Sequence, residues 1–128
     1  MTPAKRTSLY LTAAHLGAIG ALEQVTAQAL NWPDFLKGLG VGMMIIPLIV
    51  LLLRGLRDEY IESLWRAGTS WAFVAVVASF LLAPFVEGVF DGYTGAPPAQ
   101  DWPAQATGMI AILAFFAGFH VQWLRGMR

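Results

Sequence analysis

"LLLRGLRDEYIESLWR", residues 51–66, sets six charges of mixed sign between two long apolar runs. Arg54, Arg57 and Arg66 stand with Asp58, Glu59 and Glu62, so the strip is neutral overall. Apolar sequence stops at Leu53 and resumes at Ala67. A chain that crosses a bilayer and turns back through water shows this alternation, and the flanks decide whether it applies. A hydrocarbon core about 30 Å thick takes about 20 apolar residues of helix. Segment 35–53 carries one charge, Lys37, near its start; 67–90 has none until Glu87; 104–124 has no acid or base except His120. None has the polar face of a surface helix.

Segment 8–30 is long enough to span but holds His15, Glu23, Gln24 and Gln28. Its Ala13, Gly17 and Ala21 recur at i, i+4 spacing, which lets helix backbones approach closely in a membrane. It reads as a fourth span shielded from lipid by the other three. The rival reading, a signal peptide after Lys5 and Arg6, needs a compact run of 7–15 apolar residues, and His15 and Glu23 interrupt it. The expected fold is therefore all-α, an integral membrane four-helix bundle forming one domain over 1–128, with spans 8–30, 35–53, 67–90 and 104–124.

Composition agrees. Of 128 residues, 57% are hydrophobic and 12% charged, against roughly 25% charged in soluble domains; mean hydropathy is +0.60. Formal net charge is zero, so no basic field draws nucleic acid. Without cysteine there is no disulfide, thiol catalysis or cysteine-held metal.

Placing 1–7, 54–66 and 125–128 on one side collects Lys5, Arg6, Arg54, Arg57, Arg66, Arg125 and Arg128 there, seven of the eight basic residues. Cytoplasmic loops gather Lys and Arg, and acids count for little. Both termini and the strip are thus expected on the cytoplasmic side. Within the strip, Leu53, Leu56, Tyr60 and Leu64 share one helical face, and Glu62–Arg66 forms an i, i+4 pair worth about 0.2–0.5 kcal/mol. The strip reads as a solvated helical extension at the membrane surface, with a cytoplasmic docking site as the alternative.

"NWPDF" (31–35) and "DWPAQ" (101–105) each set a capping residue, a Trp and a Pro before an apolar run. Proline suits a first helical turn, and Asn31, Asp34 and Asp101 can accept from its free amides. Trp32, Tyr60, Trp65, Trp102 and Trp123 are expected as interfacial anchors. Stretch 88–103 reads as a Gly/Pro-rich turn region. The order T-S, Glu, W-P, L-R-G-x-R occurs twice, at 7–57 and 69–128. It predicts two parallel copies of one helical hairpin.

"LRDEYIESLWRAGTSWAFVAV" (56–76) resembles a motif of small, uncharacterised bacterial inner-membrane proteins, in which an Asp-Glu-aromatic triplet opens an amphipathic stretch that runs into a spanning helix. Here the triplet is Asp58, Glu59 and Tyr60, followed by Leu64, Ala67, Ala72 and Phe73; Glu62 and Arg66 depart from the pattern. The resemblance covers about twenty residues. It implies a protein of the bacterial inner membrane and carries no activity.

Ionisable residues inside spans are functional candidates, because a charge at bilayer depth costs about 2.5–3.5 kcal/mol on insertion scales. At 100° per residue, Thr12, His15, Glu23 and Thr26 fall within an arc of about 80°. The stripe reads as an interhelical hydrogen-bond strip with a neutral, hydrogen-bonded Glu23, or as a path for a proton or substrate. Glu87, after Pro84, reads as solvated at the outer end of its helix; under the repeat it would instead face Glu23. His15 and His120 read as packed side chains, or as axial ligands of a haem or a chlorophyll-type magnesium pigment. No cofactor and no metal site is predicted. The glycines of "GLGVGMM" (38–44) read as close helix packing, and Phe115 with Phe119 as an outward pair for lipid or a partner.

No nucleophile, base and orienting group come together, so no enzyme is predicted. The expected function is that of a structural or accessory subunit, with the lipid bilayer, other membrane subunits or a second copy as partners and no nucleic acid. The alternative is a small proton-coupled transporter or carrier using Glu23.

Overall fold

A computed structural model describes residues 2–95 and 102–128, the side chains of 102–105 excepted. It holds α1 (Pro3–Ala29), α2 (Asp34–Leu52), a short 3-10 turn η1 (Arg54–Leu56), α3 (Glu59–Thr94) and α4 (Trp102–Gly126), with no strand among the described residues. Three stretches, Asp34–Leu52, Glu59–Thr94 and Ala106–Gly126, are long and apolar enough to cross a membrane.

Several helix boundaries have a local cause. Pro3 opens α1 at its first turn, where a missing N–H loses no partner. Asn31, at φ 50°, takes the left-handed position just past the α1 end. The Trp32 amide then donates to Ala27 O (2.9 Å) and the Asn31 amide to Gln28 O (3.3 Å), a Schellman closure. Asn31 was expected to cap α2; it terminates α1 instead, and its Oδ1 accepts from Lys37 Nζ at 3.3 Å. Asp58 caps α3, its Oδ1 accepting from the Ile61 amide at 2.8 Å. Gly95, at φ 62°, ends α3 with its amide on Asp91 O.

Two expectations about the connections change. The strip is not a continuous helical extension, since η1 and extended residues Arg57 and Asp58 break the Leu53–Leu64 face. At the other end, α3 is helical through Thr94, so 88–94 is helix and not turn. Gly88 and Gly92 each weaken a helix by about 0.5–1 kcal/mol, which the long apolar run outweighs. Residues 102 and 103 already belong to α4, and 96–101, with Asp101, lie outside the described residues. At 36 residues, α3 is about 54 Å long and exceeds the bilayer core.

α1 and α2 form one antiparallel hairpin, α3 and α4 the other, and the hairpins meet along an α1–α4 seam. α2 and α3 stand outside, each packed chiefly on its own partner. Under the repeat reading α1 corresponds to α3 and α2 to α4, and the seam then has no comparable counterpart. The core gathers Tyr10, Ala13, Ala14 and Ala21 of α1, Met44 and Leu51 of α2, Ile61 and Leu64 of α3, and Phe115, Phe116 and Phe119 of α4. Small residues set the spacing. A Cβ on Gly17 would lie 2.5 Å from Phe116 Cζ and 3.2 Å from Pro47 Cβ. Phe115 (7% exposed) and Phe119 (0%) belong to this core; the outward pair expected for lipid or a partner is the inward face of α4.

Candidate functional site

The polar stripe of α1 divides. Thr12 and Thr26 are exposed, and Thr26 Oγ1 donates back to Leu22 O at 2.8 Å. Only His15 and Glu23, both half-buried, turn toward neighbouring helices. Eight residues, roughly 12 Å of helix, separate them, so each belongs to its own cluster.

His15 meets His120 across the α1–α4 seam, its Nδ1 2.9 Å from His120 Nε2. His120 Nδ1 lies 2.7 Å from Phe116 O. A carbonyl only accepts, so His120 Nδ1 carries the proton and its Nε2 is the acceptor. Between two neutral rings His15 Nδ1–H would then be the donor, and both would be Nδ1–H tautomers. The Trp123 ring stands edge-on to both, its centroid 5.0 Å from that of His15 and 6.2 Å from that of His120. A metal ligated on opposite faces would hold the two nitrogens roughly 4 Å apart, twice a metal–nitrogen bond. The directly bonded pair therefore does not fit a bis-histidine haem. Only His15 Nε2 makes no hydrogen bond among the described residues, and it alone could ligate a pigment magnesium. Beside His120 an apolar hollow of about 320 Å³ opens between Ala18, Leu22, Leu113 and Phe116.

Glu23 lies in the other cluster, on the α1–α2 interface. Both its carboxyl oxygens are buried and have no hydrogen-bond partner among the described residues, and the same holds for Gln24 Oε1. The Glu23 carboxyl group and Gln24 Oε1 meet over Gly40. A Cβ there would collide with Glu23 Oε2 and lie 3.1 Å from Gln24 Oε1. The hydrogen-bonded Glu23 expected from the stripe thus finds neither of its threonines. Glu87 is half-buried on the outer helix α3, with Oε1 covered and unpartnered among the described residues. It is not the freely solvated group expected, and with α4 and α1 between α3 and α2 it does not face Glu23.

The most connected polar residue, Arg57, was read as part of a solvated strip. Its side chain is 8% exposed. Nη2 donates to Leu51 O at 2.7 Å, Nη1 lies 3.4 Å from Glu62 Oε2, and the guanidinium sits 3.9 Å above the Trp65 ring centroid. Tyr10 Oη donates to the same Leu51 carbonyl at 2.7 Å. Leu51 lies in the last turn of α2, whose carbonyls have no intrahelical donor, and a cation there also meets the negative end of the helix dipole. Trp65 stacks edge-on to Phe115 at 5.1 Å, so this node joins all four helices. Thr7 Oγ1 adds a bond to Asp58 Oδ2 at 3.0 Å. An open polar cleft of about 750 Å³ lies outside it, among Arg54, Asp58, Glu59 and Glu62. The alternation of Leu, Arg and aromatic residues in 51–66 was the available signal, but which residue folds back under the helices depends on the break at 53–58.

The expected anchors sort accordingly. Tyr60 is 40% exposed and packs beside Gly126; Trp32 is half-buried. Trp65 and Trp123 pack on the core cluster rather than projecting from it, because each covers a polar group, Arg57 and His15. The Trp102 side chain lies outside the described residues. No protein-family model matches the chain, and no curated protein or solved structure shows significant similarity to it.

Proposed function

We propose that this chain is a structural or accessory subunit that assembles within a membrane, with other subunits or with further copies of itself. One observation carries the reading. Gly38 and Gly42 on α2, and Gly88 and Gly92 on α3, form i, i+4 pairs at which an added Cβ would meet nothing within 4 Å. Such bare-backbone stripes let a second helix approach closely in lipid, where packing and not the hydrophobic effect drives association. On α2, Phe35, Ile45, Ile46 and Ile49 fall with Gly38 and Gly42 in an arc of about 100°, and all four are exposed. The opposite face, Gly40, Met44, Pro47 and Leu51, is the one α1 covers.

α1 serves as a fourth crossing in this reading. It runs against α2 from Tyr10–Leu51 through Gly17–Pro47 to Gly20–Met43, so a spanning α2 takes it through the bilayer. The arginines at 54–66 and both termini support an N-in, C-in orientation. The likeness at 56–76 supports a bacterial inner membrane, and the duplicated T-S, Glu, W-P, L-R-G-x-R order supports two hairpin repeats. Gly42→Leu tests assembly. In mild detergent the variant is expected to keep wild-type helicity and melting while the complex, seen by native mass spectrometry, dissociates to the single chain. An unchanged complex would remove the α2 stripe from the interface.

The unpartnered Glu23 favours a second reading, a small proton-coupled carrier. There Glu23→Gln should fold yet abolish movement of protons or substrate into vesicles; full transport by the variant would make Glu23 structural.

A further inference from the structure

The geometry points to a proton-binding site between α1 and α2, in which Glu23 is a carboxylic acid donating its hydrogen bond to Gln24 Oε1 over the bare backbone of Gly40. Three buried oxygens converge there, and none has a hydrogen-bond partner among the described residues. All are acceptors as they stand, and a dry cluster of acceptors is not stable without a donor or a positive charge. Gln24 is 8% exposed, and its amide oxygen is fully covered. Gly40 is what makes room, since any Cβ would occupy the place of Glu23 Oε2.

The charged groups around the cluster do not supply the missing partner. On α1, His15 is two turns away and bonded to His120. On α2, Lys37 is engaged with Asn31 and Asp34. The stretch of α4 facing this part of α1, around Leu113, has no ionisable side chain, and α3 packs on the far side of α4. A divalent cation of the calcium or magnesium kind would need about six oxygens, and three converge. One proton suffices: it binds the carboxylate, making Glu23 Oε–H a donor to Gln24 Oε1, and two of the three lone oxygens are then paired with no net charge left in the interface. Turning the Gln24 amide over would also offer a donor, but it would leave the carboxylate charge in place.

This deepens the carrier reading without depending on it: a site that takes a proton in a chain that moves nothing would leave the inference standing and end the carrier.

The test uses the full chain in mild detergent. An acid-minus-alkaline infrared difference spectrum should show a protonated-carboxyl C=O band that is lost in Glu23→Gln and moves to higher frequency in Gln24→Leu, where the hydrogen bond is gone. In the wild-type protein, dicyclohexylcarbodiimide should label Glu23 ahead of the seven other acids. There the acid proton passes to a carbodiimide nitrogen, the carboxylate adds to the central carbon, and the adduct rearranges to a stable N-acylurea that peptide mass spectrometry locates. Saturating sodium or potassium chloride should not protect it. Protection by either salt would make this a cation site and overturn the assignment. So would a band that survives in Glu23→Gln, or its absence from the wild-type protein, which is the outcome of a turned-over amide.

Discussion

Tyr10→Phe and Arg57→Met together are expected to cost more than the sum of the two single changes, by at least about 1 kcal/mol. Both side chains donate to one carbonyl, that of Leu51, each at 2.7 Å, and Tyr10 and Leu51 are fully buried. Losing the tyrosine hydroxyl alone leaves the guanidinium in place, so the single change should cost about 0.5–1.5 kcal/mol, the net worth of an ordinary hydrogen bond. Arg57→Met removes a charge-assisted bond worth about 1.5–3 kcal/mol and a cation–π contact worth about 0.5–2 kcal/mol, while methionine keeps some packing on Trp65. In the double variant the carbonyl has no donor, and an unsatisfied buried group adds about 1–3 kcal/mol. Denaturant unfolding of the four proteins in the same detergent measures the cycle. Additivity within about 0.5 kcal/mol, as for independent sites, would mean that the shared carbonyl does not couple them.

The α3–α4 hairpin should not tolerate an added methyl group at its two close approaches. A Cβ on Gly68 would lie 2.8 Å from two Phe115 ring carbons and 2.9 Å from Phe115 O; one on Gly118 would lie 2.6 Å from Trp71 Cγ and 2.9 Å from Ala67 O. Each clash includes backbone, which cannot turn aside as a side-chain tip can. Overpacking costs about 1–3 kcal/mol. Replacing a mid-helix glycine by alanine returns about 0.5–1 kcal/mol. The clash wins, and Gly68→Ala and Gly118→Ala are each expected to destabilise by about 1–2 kcal/mol. At Gly42 nothing of the chain itself stands within 4 Å, so in the dissociated single chain Gly42→Ala should raise stability by the helix gain alone. Melting curves of the three variants check the opposite signs. A stabilised Gly118→Ala would show that the hairpin is not packed this closely.

Much of this was readable without coordinates. Three apolar stretches long enough to cross a bilayer need only length and the absence of charge, both linear properties of the chain. The Ala13–Gly17–Ala21 stripe as a packing face needs only the helical period, and all three residues are buried. The Glu62–Arg66 pair is also local, and its nitrogen and oxygen stand 3.5 Å apart.

What escaped depends on which face meets which neighbour. Periodicity places Phe115 and Phe119 on one side of α4 but cannot say whether that side looks at lipid or at α1, because in a membrane both sides of a helix are apolar. Arg57 has the composition of a solvated loop residue; the break at 53–58 turns it back under the α2 end, where free carbonyls give a cation its best partner. The two histidines were visible as lone polar residues 105 positions apart, and only the α1–α4 seam sets their nitrogens 2.9 Å from each other. Glu23 was singled out by residue type alone, as an acid within a long helical segment. Its surroundings were missed, since the helical arc pointed to Thr12 and Thr26 on its own helix while the fold presents Gln24 and the open backbone of Gly40. Sequence alone determined where this chain is apolar and where its charges lie, since those follow from residue type in order; tertiary structure decided which polar groups find partners, because that depends on distances between helices that no single helix carries.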